Sequence, residues 1–475
     1  MHHKKTKIVA TLGPATSDFN TLTNLVHAGV NVFRVNCSHS NPEGIKKTIK
    51  LIREVNEINN FAVAVLADLQ GPKLRLGEVE EGTYINAGDA FTLTTNECLG
   101  NSERAFLTYQ SFAQDVNAGE RILLDDGKLI LEVVDTNGED TVTTKVIQGG
   151  ALKSRKGVNL PNTNVSLPCL TEKDLEDLSA AIEEEVEWVG LSFVRSAEDV
   201  KELRNEIKMR SGFARIVSKI EKPEAVNDID AILQATDAVM VARGDLGVEV
   251  PMQSVPVIQK DIVKRALQVS VPVIIATQMM ETMMTNMSPT RAEVNDVANS
   301  MLDGADAVML SGETSVGKYP VEVVKMMSSI IEHVEKNAAP HFLKKHPPTK
   351  EAGERFITDS ICYNASKIAD QIGAKAILTM THSGYTAFKI SSHRPRTHIA
   401  VFTANHNILN MLSLVWGVQT FFYDELASTD KTFADIKTMV AEAGLVSKGD
   451  RIIKIASMPI NELGMTNTLK ISDVK

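Results

Sequence analysis

Two acids, Glu221 and Asp245, each fall just past an apolar, strand-like run, and Lys219 stands two residues before the first of them. If the runs are neighbouring parallel strands, both carboxylates face one mouth, the hard-oxygen arrangement of an Mg²⁺ site that borrows further ligands from its substrate. Period-two alternation puts Lys219 on the same side as Glu221, where an ammonium can stabilise a transferring phosphoryl group and the oxyanion it leaves behind. The same residues could equally be barrel-mouth acids salt-bridged to Lys219 and Arg243, with Lys219 a solvated surface lysine. Downstream, Thr277 to Asn299 (T-Q-M-M-E-T-M-M-T-N-M-S-P-T-R-A-E-V-N-D-V-A-N) lies between two more apolar runs, which stop at Thr277-Gln278 and Ser311-Gly312-Glu313. Polar groups collect where strands end. Gly244-Asp245-Leu246-Gly247 is not a dinucleotide turn; its small residues let backbone N–H groups at a helix start approach an anion. Arg34 and Arg75 supply the planar forks that hold phosphates, and Arg34, Asn36, Ser38 and His39 alternate along the end of one run. His39 could also be a packed surface ring. Gly312 to Lys318 approaches a phosphate-loop pattern, but Tyr319 replaces the metal-binding Ser or Thr.

The elements that must position these groups follow from the apolar pattern. Strand-like runs recur at Lys7 to Thr11, Val30 to Val35, Ala62 to Ala67, Trp188 to Phe193, Arg215 to Lys219, Ala238 to Ala242, Val273 to Ala276 and Ala307 to Leu310. Helical spacing fills the intervals, for example Leu22 to His27, Lys46 to Ile58, Glu172 to Glu184 and Val321 to Val334. Eight such units predict an α/β fold, a closed (β/α)8 TIM barrel, with chemistry at the C-terminal ends of the strands. After the third strand about a hundred residues lose the helical period and alternate as β segments, among them Phe91 to Thr95, Arg121 to Asp125, Leu129 to Val134 and Thr141 to Ile147. We expect barrel segments at 1–71 and 168–336, an inserted all-β lid domain at 72–167, a Lys-, Pro- and His-rich linker at 337–353, and a C-terminal α/β domain at 354–475 with strands at Ala376 to Met380, Ile399 to Phe402 and Arg451 to Ala456.

Bulk properties narrow the function class. The 475 residues are 43 % hydrophobic and 23 % charged, with net charge −10, and the pI is near 5.7, which argues against nucleic acid as the main partner. No run approaches the roughly 20 apolar residues of a membrane helix, and the basic stretch Met1 to Lys7 has no apolar stretch behind it, so neither span, signal peptide nor membrane partner is expected and the protein should be cytoplasmic. Cys37, Cys98, Cys169 and Cys362 are far apart and form no C-x-x-C pair, which suggests reduced thiols.

From end to end the chain resembles the pyruvate kinase family. The motifs T-K-I-V-A-T-L-G-P-A-T, F-R-V-N-C-S-H, D-L-Q-G-P-K-L-R, D-D-G, K-G-V-N-L-P, S-K-I-E, V-A-R-G-D-L-G-V-E, A-T-Q-M-M-E and M-L-S-G-E-T occur in family order. The resemblance implies phosphoryl transfer from phosphoenolpyruvate to ADP, the last step of glycolysis, with Mg²⁺ (or Mn²⁺ in its place) on Glu221 and Asp245 and Lys219 as the main electrostatic catalyst. It implies that Gly244 and Thr277 bind the substrate carboxylate, Thr277 beside the carbon to be protonated, that Arg34 and Lys73 act on the substrate side, and that Thr11, Pro14, Arg34, Asn36, His39, Arg75 and, from the lid, Asp126 and Lys156 contact the nucleotide. Ser311 and Glu313 match groups near the enolate's proton supply. Asp68-Leu69-Gln70-Gly71-Pro72-Lys73 resembles the potassium-independent type: Leu69 lacks a hydroxyl that potassium-requiring relatives carry, and Lys73 replaces their Glu, so K⁺ is expected not to be required. In the C-terminal domain Thr381, His382, Ser383, Gly384 and Thr386 resemble the family's loop for a phosphorylated effector, although His382 and Tyr385 stand where basic side chains are usual. The family is usually a homotetramer. Two rivals stay open: a barrel lyase or aldolase forming a metal-bound pyruvate enolate, which would need no lid with Asp126 and Lys156, and a catalytically inactive regulatory relative, against which Lys219, Glu221, Asp245 and Thr277 count.

Overall fold

In the computed structural model, eight short strands close a parallel barrel: β1 (Lys7–Thr11), β2 (Val32–Asn36), β3 (Ala64–Asp68), β4 (Trp188–Leu191), β5 (Arg215–Ile220), β6 (Ala238–Ala242), β7 (Val273–Ala276) and β8 (Ala307–Leu310), paired in the ring order β1-β8-β7-β6-β5-β4-β3-β2. The structure describes residues 4–338, 347–348, 350–425, 429–458 and 465–475; residues 1–3 of the basic N-terminal stretch, and residues 339–346 and 349 of the expected linker, lie outside them. The strands are nearly continuous apolar runs because both faces are covered. Inside, Val9, Val32, Leu66, Trp188, Val217, Met240, Ile274 and Met309 fill the barrel; outside, a ring of helices buries residues such as Leu22, Ile49, Leu178 and Val323. The helices include α1 (Glu172–Glu183), α2 (Arg243–Glu249), which follows β6 directly, and α3 (Tyr385–Ser392) in the C-terminal domain.

The insertion between β3 and β4 is a six-stranded sheet in the order Val158–Asn159, Arg121–Leu124, Leu129–Thr136, Thr141–Gln148, Ala90–Thr94, Arg104–Phe106, with a two-stranded ribbon of Tyr84–Ile85 and Gly150–Ala151. Burial alternates along its long strands, as in a sheet with one wet face, over a core that includes Phe91, Leu93, Ile122, Leu131 and Val142.

The C-terminal sheet has five strands, β9 (Ala376–Met380), β10 (His398–Thr403), β11 (Val418–Phe422), β12 (Arg451–Ala456) and β13 (Thr468–Asp473), in the order β11-β10-β9-β12-β13 with β13 antiparallel. It docks on the face of the barrel where strands begin. Lys7 Nζ donates to Val418 O at 2.7 Å, Trp188 Nε1 to Met411 O at 3.1 Å, Arg215 Nη2 to Ser383 O at 2.8 Å, and Arg394 forks onto Asp306, just ahead of β8. The opposite face, where strands end, is left to the inserted sheet.

Candidate active site

The ends of β2, β3 and β5 bring four charges into one chain. Lys219 Nζ lies 3.0 Å from Glu221 Oε1 and 3.4 Å from Asp68 Oδ1, and it donates to Ser192 Oγ at 2.7 Å. Asp68 in turn accepts from Arg34 Nε at 2.6 Å, and Arg34 Nη1 donates to Thr11 Oγ1 at 3.1 Å. The register explains the convergence, since Asn36 pairs with Asp68 and Asp68 with Gly190. Gly190 is needed there: a Cβ would stand 2.8 Å from Asp68 Oδ1. Burial works against the charge of Lys219, but Asp68 and Glu221 outweigh it and its ammonium titrates above the usual lysine range. Burial likewise opposes ionisation of Asp68, yet Arg34 and Lys219 hold its carboxyl below the ordinary range. For Glu221 burial wins, helped by the like charge of Asp245 and opposed by Lys219, so its carboxyl is raised. Two acids that repel across a mouth while one is pushed toward neutrality suit a cation between them.

Glu221 Oε2 also accepts from Phe193 N at 2.8 Å, and Phe193 holds a left-handed backbone, φ 55°. Asp245 is half-buried, and its carboxylate makes no hydrogen bond or ion pair among the described residues. The salt bridge between Asp245 and Arg243 is not formed, because the Arg243 guanidinium is bidentate to Asp296 at 2.7 Å. No described cluster supplies three His, Cys, Asp or Glu side chains to one metal. Glu221 and Asp245 are two hard donors, and a cation there would take its remaining ligands from substrate or water, as Mg²⁺ commonly does.

Thr277 follows β7 with φ 70°, and Gln278 with φ 53°, a costly conformation for a β-branched residue and one that clusters at functional sites. The bend lets Thr277 Oγ1 accept from Gly244 N at 2.7 Å and donate to Ala276 O at 2.6 Å. The Gly244 N–H, expected to meet an anion, is therefore already taken by Thr277, which leaves the N–H of Asp245 as the next at the start of α2. A Cβ on Gly244 would sit 3.3 Å from that hydroxyl.

Other expected residues are placed differently. β2 ends at Asn36, and Ser38 and His39 belong to a 3-10 turn, Cys37–His39, capped by Asn36 Oδ1, so strand alternation does not reach them; His39 is exposed. Thr11 is buried, and Pro14 opens a second 3-10 turn. Arg75 lies on the arm into the lid, its Nη1 donating to Arg155 O at 3.3 Å. Lys73 is exposed beside the cavity bounded by Asp126, Lys222, Asp245 and Glu249. In the D-D-G turn Asp125, Asp126 and Gly127 are all left-handed. Lys156 pairs with Asp125 at 3.1 Å, whereas Asp126 is exposed in a cleft of about 1140 Å³ between lid and barrel, with Arg243 and Asp245 on its other wall. Glu313 is 2 % exposed, and its two oxygens accept from Ser311 N at 2.8 Å and Met280 N at 3.1 Å. It ties the loops after β7 and β8 and is not open to the cleft; Ser311 enters this tie through its backbone.

In the C-terminal loop Gly384 N donates to Thr381 Oγ1 at 2.9 Å, while His382 and Ser383 are exposed. Thr386 turns inward, its hydroxyl 3.1 Å from that of Thr379. The loop does have fixed charge nearby: Arg355 lies 4.1 Å over the Tyr385 ring, and Tyr385 donates to Asp359 at 2.6 Å. Sequence reasoning missed Asp68 as a site residue, together with Ser192 and Asp125. Asp68 was detectable as an acid ending a strand beside Arg34; Ser192 carried no signal.

Comparison with known proteins gives one consistent picture. The family profile described as pyruvate kinase, barrel domain, matches residues 3–324, and that described as pyruvate kinase, alpha/beta domain, matches 359–472. A pyruvate kinase of Mycobacterium tuberculosis is 42 % identical over 470 residues, covering 98 % of both chains. One from Geobacillus stearothermophilus is 42 % identical over 472 residues, covering 98 % of this chain and 80 % of that one. The crystal structure of a pyruvate kinase from Cryptosporidium parvum superposes with a TM-score of 0.92 at 32 % identity, over 100 % of this chain and 97 % of that one.

Proposed function

The chain belongs to the pyruvate kinase family, and from that premise we propose how its own residues carry the transfer of a phosphoryl group from phosphoenolpyruvate to ADP. The bond from phosphorus to the enol oxygen breaks while one forms to an ADP β-phosphate oxygen, giving ATP. The electron pair stays on the enol oxygen, and the enolate takes a proton at its terminal carbon to become pyruvate. Little covalent work falls to the protein, so rate comes from positioning and fixed charge.

The Arg34-Asp68-Lys219-Glu221 chain is the observation that carries this reading. Lys219 is held charged and aimed by three partners, so no reorganisation is needed when negative charge builds on the phosphoryl and enolate oxygens. Arg34 is anchored through Nε and Nη2 on Asp68 and through Nη1 on Thr11, and the second N–H of each Nη keeps donor capacity for a phosphate. Glu221 and Asp245 fit a divalent cation, with Mg²⁺ the proposed ion and Mn²⁺ a substitute; when bound, it neutralises charge on substrate oxygens. Thr277 and the start of α2 receive the substrate carboxylate. Asp126 and Lys156 bring the lid to the nucleotide and exclude water from the reacting phosphoryl group. Thr11, Pro14, Asn36, His39 and Arg75 line the nucleotide side, and Lys73 takes the place of a monovalent cation.

ATP formation from phosphoenolpyruvate and ADP, assayed with and without Mg²⁺, tests this directly. ATP and pyruvate should appear in equal amounts and only with the divalent cation. Neither rival is favoured by the relatives. A phosphorylated effector at Thr381 to Gly384, with Arg355 as its fixed cation, is a further proposal; isothermal titration with sugar and nucleoside monophosphates at about pH 6 and pH 8 tests it, and no binding at either would end it. A homotetramer and a cytoplasmic location go with the family as proposals. No helix among the described residues is long and apolar enough to cross a membrane.

A further inference from the structure

A buried carboxylate outside the reacting centre joins the lid to both acid-bearing segments of the mouth. Glu249 ends α2 and is 6 % exposed. Its Oε1 accepts from Lys222 Nζ at 2.9 Å and, across the cleft, from Asn159 Nδ2 of the lid at 2.7 Å. Its Oε2 is buried with no hydrogen-bond partner. Lys222 follows Glu221 in the chain, and Asp245 lies one helical turn before Glu249. The lid meets the same turn of α2 a second time, since a Cβ on Gly127 would stand 4.0 Å from Val248 Cγ1.

We propose that Glu249 is the docking point for the lid, a positioning residue that holds Asn159, and with it the end of the lid bearing Asp126 and Lys156, over the barrel mouth. The inference rests on the phosphoryl-transfer reading and adds what keeps water from the phosphoryl group. A carboxylate is a stronger acceptor for an amide than a neutral oxygen is, yet one such bond is weak enough to open for product release. The free Oε2 gives Asn159 a second acceptor, so the lid can rock between the two oxygens without losing its hold. Lys222 and α2 then pass lid position to Glu221 and Asp245. A purely structural Lys222-Glu249 pair would make no demand on Asn159, which belongs to the lid alone.

The experiment compares full-length wild type with Asn159→Ala, Asn159→Asp and Glu249→Gln at saturating Mg²⁺. It follows ATP and pyruvate from phosphoenolpyruvate plus ADP, pyruvate and inorganic phosphate from phosphoenolpyruvate alone, and thermal unfolding. Asn159→Asp sets carboxylate against carboxylate. It should lower kcat by about tenfold or more, the scale of one charge-assisted hydrogen bond, and raise KM for ADP. Pyruvate should exceed ATP, because water takes the phosphoryl group and releases phosphate. Asn159→Ala should show the same pattern more weakly, and Glu249→Gln, which keeps an acceptor oxygen without the charge, should fall between wild type and Asn159→Asp. Both Asn159 variants should unfold at the wild-type temperature. Wild-type kcat, KM and ATP-to-pyruvate ratio in both Asn159 variants would overturn the docking role while leaving phosphoryl transfer intact. A wild type that makes no ATP would bring down both.

Discussion

Lys219 shows how far one side chain's neighbours decide its use. Buried alone, an ammonium loses its proton readily; between Asp68 and Glu221 it stays charged through the physiological range. Lys73 is the contrasting case, an exposed ammonium at the edge of the cavity that Asp245 also lines, and it makes no ion pair among the described residues. Leu69 is buried and brings no hydroxyl, so at this corner the proposed fixed charge is Lys73 and not a bound monovalent ion. Activity should therefore need Mg²⁺ and not K⁺. Assays in potassium-free buffer check this, and a large stimulation by KCl would contradict it. Lys73→Glu combined with Leu69→Thr should create a potassium response.

Among the elements, the loops after β7 and β8 depend on one another through Glu313. Both its oxygens accept from backbone N–H groups, so Glu313→Gln turns one acceptor into a donor facing a donor. The variant should lose about 1–3 kcal/mol of stability by urea unfolding, the usual cost of one unmade buried hydrogen bond. Its pH-rate profile should keep the wild-type shape; loss of one limb would return Glu313 to proton supply. This is also where the sequence ran short. The barrel strands were legible because burial on two faces makes them unbroken apolar runs, and Lys219 and Glu221 were placed together by period-two spacing. β13 escaped because it is an exposed edge strand, T-L-K-I-S-D, with no apolar run. Asp125 gave no sign in the D-D-G motif that it, and not its neighbour, pairs with Lys156, because three successive left-handed residues break any strand alternation there. The bond from Asn159 to Glu249 spans 90 residues and leaves no local pattern at all.

Across the whole molecule, the barrel presents its strand ends to the lid and seats its strand starts on the C-terminal domain. Three lysines enter that lower junction. Lys4 Nζ donates to Asn31 Oδ1 at 2.6 Å, Lys5 Nζ to the carbonyls of Pro395 and Arg396, and Lys7 Nζ to Val418 O. Burial first, then the like charge of Lys7, lowers the Lys4 ammonium to about 7, against the pull of Glu335 and Glu332. An unfolded Lys4 would hold its proton to about pH 10.4, so between these values the unfolded state binds more protons and stability rises with pH. The cost of charging Lys4 is fully present below about pH 7 and is relieved above it. Lys4→Met should therefore unfold at a higher temperature than wild type near pH 6, with the gap narrowing by pH 9; a gap that stays constant with pH would refute the cause. In the proposed function, a fold built from strand ends and a lid delivers one preorganised cation, Lys219, to the transferring phosphoryl group. The most direct measurement is the turnover number of Lys219→Met beside wild type, in ATP formed from phosphoenolpyruvate and ADP with Mg²⁺, together with the affinity for phosphoenolpyruvate. The expected result is a fall in turnover of at least about 10²–10³-fold, as for loss of one preorganised donor, with a much smaller change in affinity; a near-normal turnover number would contradict the account.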